Sequence, residues 1–289
     1  MSFNPWAMLR NARYALPGYV GKVLPGPDAK AAARKCDRLH RQGLAATVGY
    51  FQAGNSSPAD IAAANAAISG HLAARVGDVY LSVKAPPMAF DDECLTSVAH
   101  AAADARLALM FDAHAPGDAE RTLEVVSRFL PDFPGTGCAL PARWCRSMAD
   151  AARFRETTAR IRIVKGEWPD PDWGDSDVEA GYLALISSLA GRRGTVAVAT
   201  HQPVLAERAL TILLAAGTPC ELEQLHGLPR RRTVAIANRL GIPVRIYVPF
   251  GPGWWPYAVD KALGRPYLVP WMIKDLMWPA AGRTPATGL

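Results

Sequence analysis

Short apolar or β-branched runs recur along the chain, and each is followed by a stretch whose apolar positions repeat with helical spacing. The first run covers 45–51 and precedes a helix predicted over 58–75. The second, 78–84 (DVYLSVK), precedes a helix over 92–104, and the third, 106–112 (RLALMFD), a helix over 118–129. The fourth run, 136–140, is the weakest and leads to a helix over 147–155. The fifth and sixth, 160–165 (RIRIVK) and 195–200 (TVAVAT), precede helices over 177–190 and 203–216. The seventh, 218–224, and the eighth, 243–248 (PVRIYV), lead to helices over 230–240 and 256–263. An amphipathic stretch, 28–42, stands ahead of the first run.

Nearly continuous apolar strands separated by helices indicate a parallel sheet covered on both faces. Eight such units between 45 and 263 predict a (β/α)8 TIM-type barrel with an extra N-terminal helix and an apolar C-terminal helix. The chain is expected to be one domain over 1–289, with 266–289 as its tail. An open doubly wound sheet is the rival, and it usually carries a glycine-rich turn after its first strand. Here that turn reads Gln52-Ala53-Gly54-Asn55, while Gly135-x-Gly137 and Gly251-x-Gly253 lack the rest of the fingerprint.

Charge and cysteine content narrow the class further. The 289 residues carry a formal charge of +6, scattered rather than clustered. The densest group, Arg230-Arg231-Arg232, reads as a solvated helix start. No basic stripe with interleaved aromatics is present, so nucleic acid is not an expected partner. The five cysteines, at 36, 94, 138, 145 and 220, include no Cys-x-x-Cys pair, which argues against a disulfide framework or a zinc site. The opening Met-Ser-Phe-Asn-Pro-Trp lacks the basic-then-apolar order of a signal peptide. With no bilayer-length apolar run, the expected location is the cytoplasm. The apolar segment 267–278 (YLVPWMIKDLMW) is expected to pack on the barrel, and leaves open an oligomer contact or a shallow peripheral dock on the inner membrane.

Barrel enzymes build their sites at the C-terminal ends of the strands. Those ends place Lys84, Asp112 with His114, Lys165, His201, the stretch from Glu221 to His226, and Tyr247 around one mouth. Asp112 and Lys84 lie on neighbouring strands and are expected to pair. The two lysines are compatible with strand capping, an anion site or Schiff-base chemistry. The histidines at 114, 201 and 226 are compatible with satisfied core positions or with a metal, but they sit on different strands without ligand spacing, so no metal is expected.

Four segments give the barrel a family likeness: Ile161–Gly166 (IRIVKG), Val198–Gln202 (VATHQ), Glu221–Gly227 (ELEQLHG) and Val244–Gly251 (VRIYVPFG). With Ser82-Val83-Lys84 and Phe111-Asp112-Ala113, they resemble proline dehydrogenase in the order expected for its strands, across roughly 28–265. The resemblance implies a noncovalent FAD across the barrel top. It assigns flavin contacts to Arg162, Val164, Lys165, Gly166, Thr200, His201, Gln224 and Lys261. It places Lys84 and Asp112 near the substrate as an ion pair. Tyr247, Leu225 and Tyr257 would lie around the substrate ring, with Asp260 and Lys261 at the carboxylate clamp. The implied reaction passes a hydride from the carbon beside an amine nitrogen to the flavin and leaves an imine. The implied partners are a small amine and a quinone or other electron acceptor.

Three departures from the family pattern stand out. The final helix reads Tyr257-Ala-Val-Asp260-Lys261-Ala-Leu-Gly264, where the family carries Tyr-x-x-Arg-Arg-x-x-Glu. Asp260 reverses the charge, Lys261 loses the bidentate fork, and Gly264 removes the acid. Pro141 stands where a flavin-contacting glutamine is expected, and Glu167, followed by Trp168, replaces a small residue. These changes predict a cyclic or secondary amine other than free proline, with the carboxylate absent or masked, and a cationic substrate fits better still, since Glu167 adds negative charge. A Schiff-base aldolase-type barrel and a noncatalytic homologue are the competing readings.

Overall fold

The structure, a computed structural model, describes residues 26–75, 77–171 and 177–263, the last four of these in backbone only. Eight parallel strands close into a barrel in sequence order: β1 (Ala45–Tyr50), β2 (Val79–Val83), β3 (Ala108–Phe111), β4 (Gly137–Pro141), β5 (Arg160–Val164), β6 (Val196–Ala199), β7 (Cys220–Leu225) and β8 (Val244–Phe250). Closure runs from Ala45 opposite Arg245 to Tyr50 opposite Phe250. Every strand begins and ends within two residues of its predicted run.

The helices are α1 (Ala29–His40), α2 (Pro58–Leu72), α3 (Asp92–Asp104), α4 (Ala119–Phe129), α5 (Ser147–Phe154), α6 (Val178–Leu189), α7 (Pro203–Ala215), α8 (Arg231–Arg239) and α9 (Trp254–Leu263). Their starts follow from local chemistry. Asp28 caps α1 by accepting from Ala31 N, and Asp177 caps α6 by accepting from Glu179 N and Ala180 N. Ser57 and Asp60 form a reciprocal capping box ahead of α2, with Pro58 at its first turn. α1 packs against β1 and β8, covering the seam where the barrel closes.

Alternation along each strand sends one set of side chains outward and the other into the barrel. The outward set, including Val48, Leu81, Ile161, Ile163, Val198, Leu222 and Ile246, forms one apolar core with the inner faces of the helices. The inward set is unusually polar. On the floor, Tyr80 (β2), Arg160 (β5), Glu221 (β7) and Arg245 (β8) meet although their strands are not all neighbours. The Arg160 and Arg245 guanidiniums lie 4.4 and 4.5 Å from the centre of the Tyr80 ring. Both pair with the Glu221 carboxylate. Arg245, with no exposed surface, also donates to Ala46 O at 2.6 Å and pairs with Asp78.

Glu221 therefore corrects the sequence reading that placed it at the mouth. It is the second residue of β7, not the last, and it neutralises the floor. The predicted C-terminal tail, 266–289, lies outside the described residues. Among the described residues, no helix is long and apolar enough to cross a membrane.

Candidate active site

Above the floor, β2, β3, β5, β7 and β8 or the residues directly after them bring Ser82, Lys84, Asp112, Arg162, Glu223 and Tyr247 into a compact charged cluster. Asp112, directly after β3, is its hub. Its Oδ1 accepts from Ser82 Oγ at 2.6 Å and from Arg162 Nη2 at 2.5 Å. Its Oδ2 accepts from Tyr247 Oη at 3.0 Å and faces Lys84 Nζ at 3.4 Å. Arg162 reaches across to Glu223 at 3.3 Å. Lys84 also donates to Tyr50 O at 3.0 Å and lies 4.3 Å from the centre of the Phe51 ring.

Backbone geometry makes room for the hub. Gly49 lies on β1 beside Tyr247, and a Cβ there would stand 1.9 Å from the tyrosine oxygen. Only glycine lets the phenol reach Asp112. Gly166, with φ of +92°, turns the chain sharply after β5 against Pro141 and Arg143.

Burial and pairing compete at these groups. Burial pushes the Asp112 carboxyl up, yet Arg162, Lys84 and the Ser82 and Tyr247 hydroxyls together hold it below the usual carboxylate value. Burial pulls Lys84 below its ordinary value, and Asp112 only partly offsets this. Burial also works against the Arg162 cation, but Glu223 and Asp112 more than compensate. Burial raises the Tyr247 phenol far above its ordinary value, so it is a hydrogen-bond donor at neutral pH.

A cavity of about 550 Å³ opens above the cluster, within the size range of small-ligand sites. Of the residues singled out from the sequence, Lys84, Asp112, Arg162, Val164, Lys165, Gly166, His201, Gln224, Leu225, Tyr247 and Tyr257 line it. Thr200 does not. Its carbonyl accepts from Gln224 Nε2 at 2.5 Å, and Gln224 Oε1 accepts from Thr233 at 2.9 Å. Much of Gln224's hydrogen-bonding capacity thus goes to joining β6, β7 and α8. His201 is held by backbone: one ring nitrogen lies 2.7 Å from Pro229 O, and the other accepts from Leu225 N–H at 3.0 Å. That pairing puts its proton on Nδ1. His114 contacts Asp118 at 3.3 Å instead of joining Asp112. The described residues contain no group of His, Cys, Asp and Glu arranged to hold a metal ion. The side chains of Asp260 and Lys261 lie outside the described residues, although the backbone of α9 passes through both positions.

Sequence reading assigned no contact to Ser82, Glu223 or Phe51, and singled out Glu167 only as a departure from the family pattern. Ser82 and Glu223 share an inward face with Lys84 and Leu225, and counting by two along β2 and β7 would have found them. Phe51 and Glu167 sit on loops, where no periodic signal exists. Phe51 packs on Tyr257 at 5.1 Å between ring centres, and Glu167 Oε2 accepts from Tyr257 Oη at 3.1 Å.

The fold and this mouth define a TIM-type barrel with a ligand cavity, lined by charged and apolar groups, at the C-terminal ends of its strands, the layout of a barrel enzyme. The chain is similar, at low identity, to curated proline dehydrogenases. It is 24% identical over 278 residues to proline dehydrogenase 1 of Bacillus subtilis subsp. natto, covering 89% of this chain and 90% of that protein. A shorter match of 165 residues, 25% identical, joins it to proline dehydrogenase of Deinococcus radiodurans, covering 54% and 53% of the two chains. No family model matches the chain. Among solved structures, the barrel superposes on proline utilization A (PutA) from Bdellovibrio bacteriovorus with a TM-score of 0.70 at 18% identity, over 87% of this chain. PutA from Corynebacterium freiburgense gives 0.66 at 17% identity over 98% of this chain. The chain spans 33% and 36% of the lengths of those two PutA chains.

Proposed function

We propose that this barrel is a proline-dehydrogenase-like flavoenzyme that oxidises a cyclic or secondary amine to an imine, and that free proline is not its preferred substrate. One observation carries the reading. The cavity at the barrel mouth gathers Lys84, Asp112, Arg162, Lys165, Leu225, Tyr247 and Tyr257 in a chain similar to curated proline dehydrogenases over nine-tenths of its length.

The residues present fit a flavin. Arg162 Nε is a buried donor with no partner among the described residues, on a side chain that lines the cavity. Lys165 stands at the rim beside Gly166, with its Nζ 2.8 Å from Gln202 Oε1. In this reading Arg162 and Lys165 hold the cofactor, and Val164, Gly166 and His201 shape its seat. When bound, the flavin supplies the acceptor for a hydride. The chain's own residues position the amine. Tyr247 and Leu225 pack against its ring, while the Lys84–Asp112 pair fixes the electrostatics beneath it. The amine must be neutral for its lone pair to form the C=N bond as hydride leaves carbon, so the site has to receive it deprotonated.

The substrate preference comes from charge. Lys84 and Arg162 are already matched by Asp112 and Glu223. Asp260 and Lys261 occupy the positions where the family carries paired arginines. An amine with its carboxylate absent, or masked as an amide or ester, suits this arrangement better than proline. The test is anaerobic mixing of flavin-loaded protein with L-proline, L-prolinamide and pyrrolidine. Bleaching of the flavin by the last two, with proline slower, is the expected result. Efficient reduction by free proline would refute the stated preference.

A Schiff-base route is the second reading, because burial lowers the pKa of Lys84. Borohydride trapping of a carbonyl compound on Lys84 would favour it.

A further inference from the structure

Glu167 brings a further acidic residue to the cavity wall. It follows the Gly166 turn, and its carboxylate lines the mouth. Its Oε2 accepts from Tyr257 Oη at 3.1 Å, joining the loop after β5 to α9 across the opening. Arg143 Nη1 donates to Glu167 O at 3.1 Å and steadies the backbone of this loop. The negative charge reaches into the cavity, since it favours the charged form of Lys84. Tyr257 also belongs to an aromatic corner. Phe51 meets Tyr257 at 5.1 Å and Trp254 at 5.2 Å between ring centres. A carboxylate beside aromatic rings favours cations over anions, and the Phe51 ring already takes one, with Lys84 Nζ 4.3 Å from its centre.

We infer that Glu167, positioned by Tyr257 beside the Phe51–Trp254 corner, is a specificity-determining residue that selects amines carrying a second, positively charged substituent. This rests on the amine-oxidising reading of the cavity and names the substrate class within it. The reacting amine sits low, over the Lys84–Asp112 pair, and must be neutral there. The cationic substituent faces the mouth, where an amino-acid substrate would present its carboxylate. Glu167 therefore acts on a group that does not react, which separates recognition from the hydride step.

Three ligands that share a pyrrolidine ring isolate the effect: 2-(aminomethyl)pyrrolidine, L-prolinamide and L-proline, with positive, neutral and negative ring substituents. Their binding to flavin-loaded protein is measured by calorimetric titration, and flavin bleaching is followed in parallel. The expected order of affinity is diamine, then amide, then proline. A hydrogen bond to a charged group is stronger than a neutral one, so Glu167→Gln should reduce the diamine-to-amide preference about tenfold while leaving amide binding little changed. Tyr257→Phe removes the positioning hydroxyl and should reduce the same ratio by a smaller factor. An unchanged ratio in Glu167→Gln would overturn the assignment of Glu167, even if both amines still bleach the flavin. A wild-type preference for proline would overturn it together with the stated substrate preference, and binding of none of the three would overturn it together with the amine-oxidising reading.

Discussion

Replacing Asp112 with Asn tests whether the cavity floor is a neutral, interdependent cluster. Lys84 and Arg162 contribute two positive charges, and Asp112 and Glu223 two negative ones, so the four sum to zero. Asn keeps an oxygen for Ser82 or Tyr247 but turns a donor toward Arg162 and leaves one unmatched positive charge. Removing one partner of a buried ion pair costs about 3–5 kcal/mol. Glu223 still holds Arg162, so the lower end, about 3 kcal/mol, is expected against a typical total of about 5–15 kcal/mol. Lys84 sets the pH dependence. Its folded pKa already lies below its ordinary value, and loss of Asp112 lowers it further. Between the folded and unfolded pKa, the unfolded chain binds the extra proton, so stability rises with pH there. The variant should therefore recover part of its loss as pH is raised from neutral toward the ordinary lysine pKa. Urea unfolding of variant and wild type at several pH values, with m-values compared, measures both effects. A loss below about 1 kcal/mol at every pH would refute the reasoning, because it is the size expected of an exposed pair.

Other consequences are equally direct. Gly49→Ala should cost about 1–3 kcal/mol by forcing Tyr247 off Asp112. Gly54→Ala, with nothing within 4 Å of the added carbon, should be nearly neutral in the same urea assay. Burial, with Lys35, Arg230 and Arg38 adding to it, pushes His226 down to about 4. The unfolded chain takes up that proton first, so stability should fall as pH drops from about 6.5 toward 4, by about 1–2 kcal/mol after allowance for screening. His226→Gln should flatten that stretch of the denaturation profile. Glu221→Gln strips the floor of the carboxylate shared by Arg160 and Arg245, and should lower the urea midpoint by the equivalent of about 3 kcal/mol.

The barrel was legible because strands buried on both faces read as short apolar runs, and because Ser57, Pro58 and Asp177 mark helix starts by their own hydrogen-bonding chemistry. The fourth strand read weakly for a physical reason. It opens at Gly137, where a Cβ would lie 2.3 Å from Arg160 O, so the position cannot carry the branched side chain that signals a strand. The Lys84–Asp112 pair was legible from adjacent strand ends. Glu221 was misplaced because its run was read two residues early, which moved a floor residue toward the mouth. The Glu167–Tyr257 and Phe51–Tyr257 contacts were not legible. They join loops after β5 and β1 to α9, and nothing periodic in the sequence encodes where such loops meet. His201 is a similar case, because its partners are the backbone of Pro229 and Leu225.

The central claim is that the barrel mouth is a flavin seat held by Arg162 and Lys165. Titration of flavin-free protein with FAD, followed by the change in flavin fluorescence, tests it without reference to any substrate. Saturable binding by the wild type, weakened at least tenfold in Lys165→Met with the fold intact by circular dichroism, is the predicted result. No binding by the wild type, or equal binding by both proteins, would contradict the account.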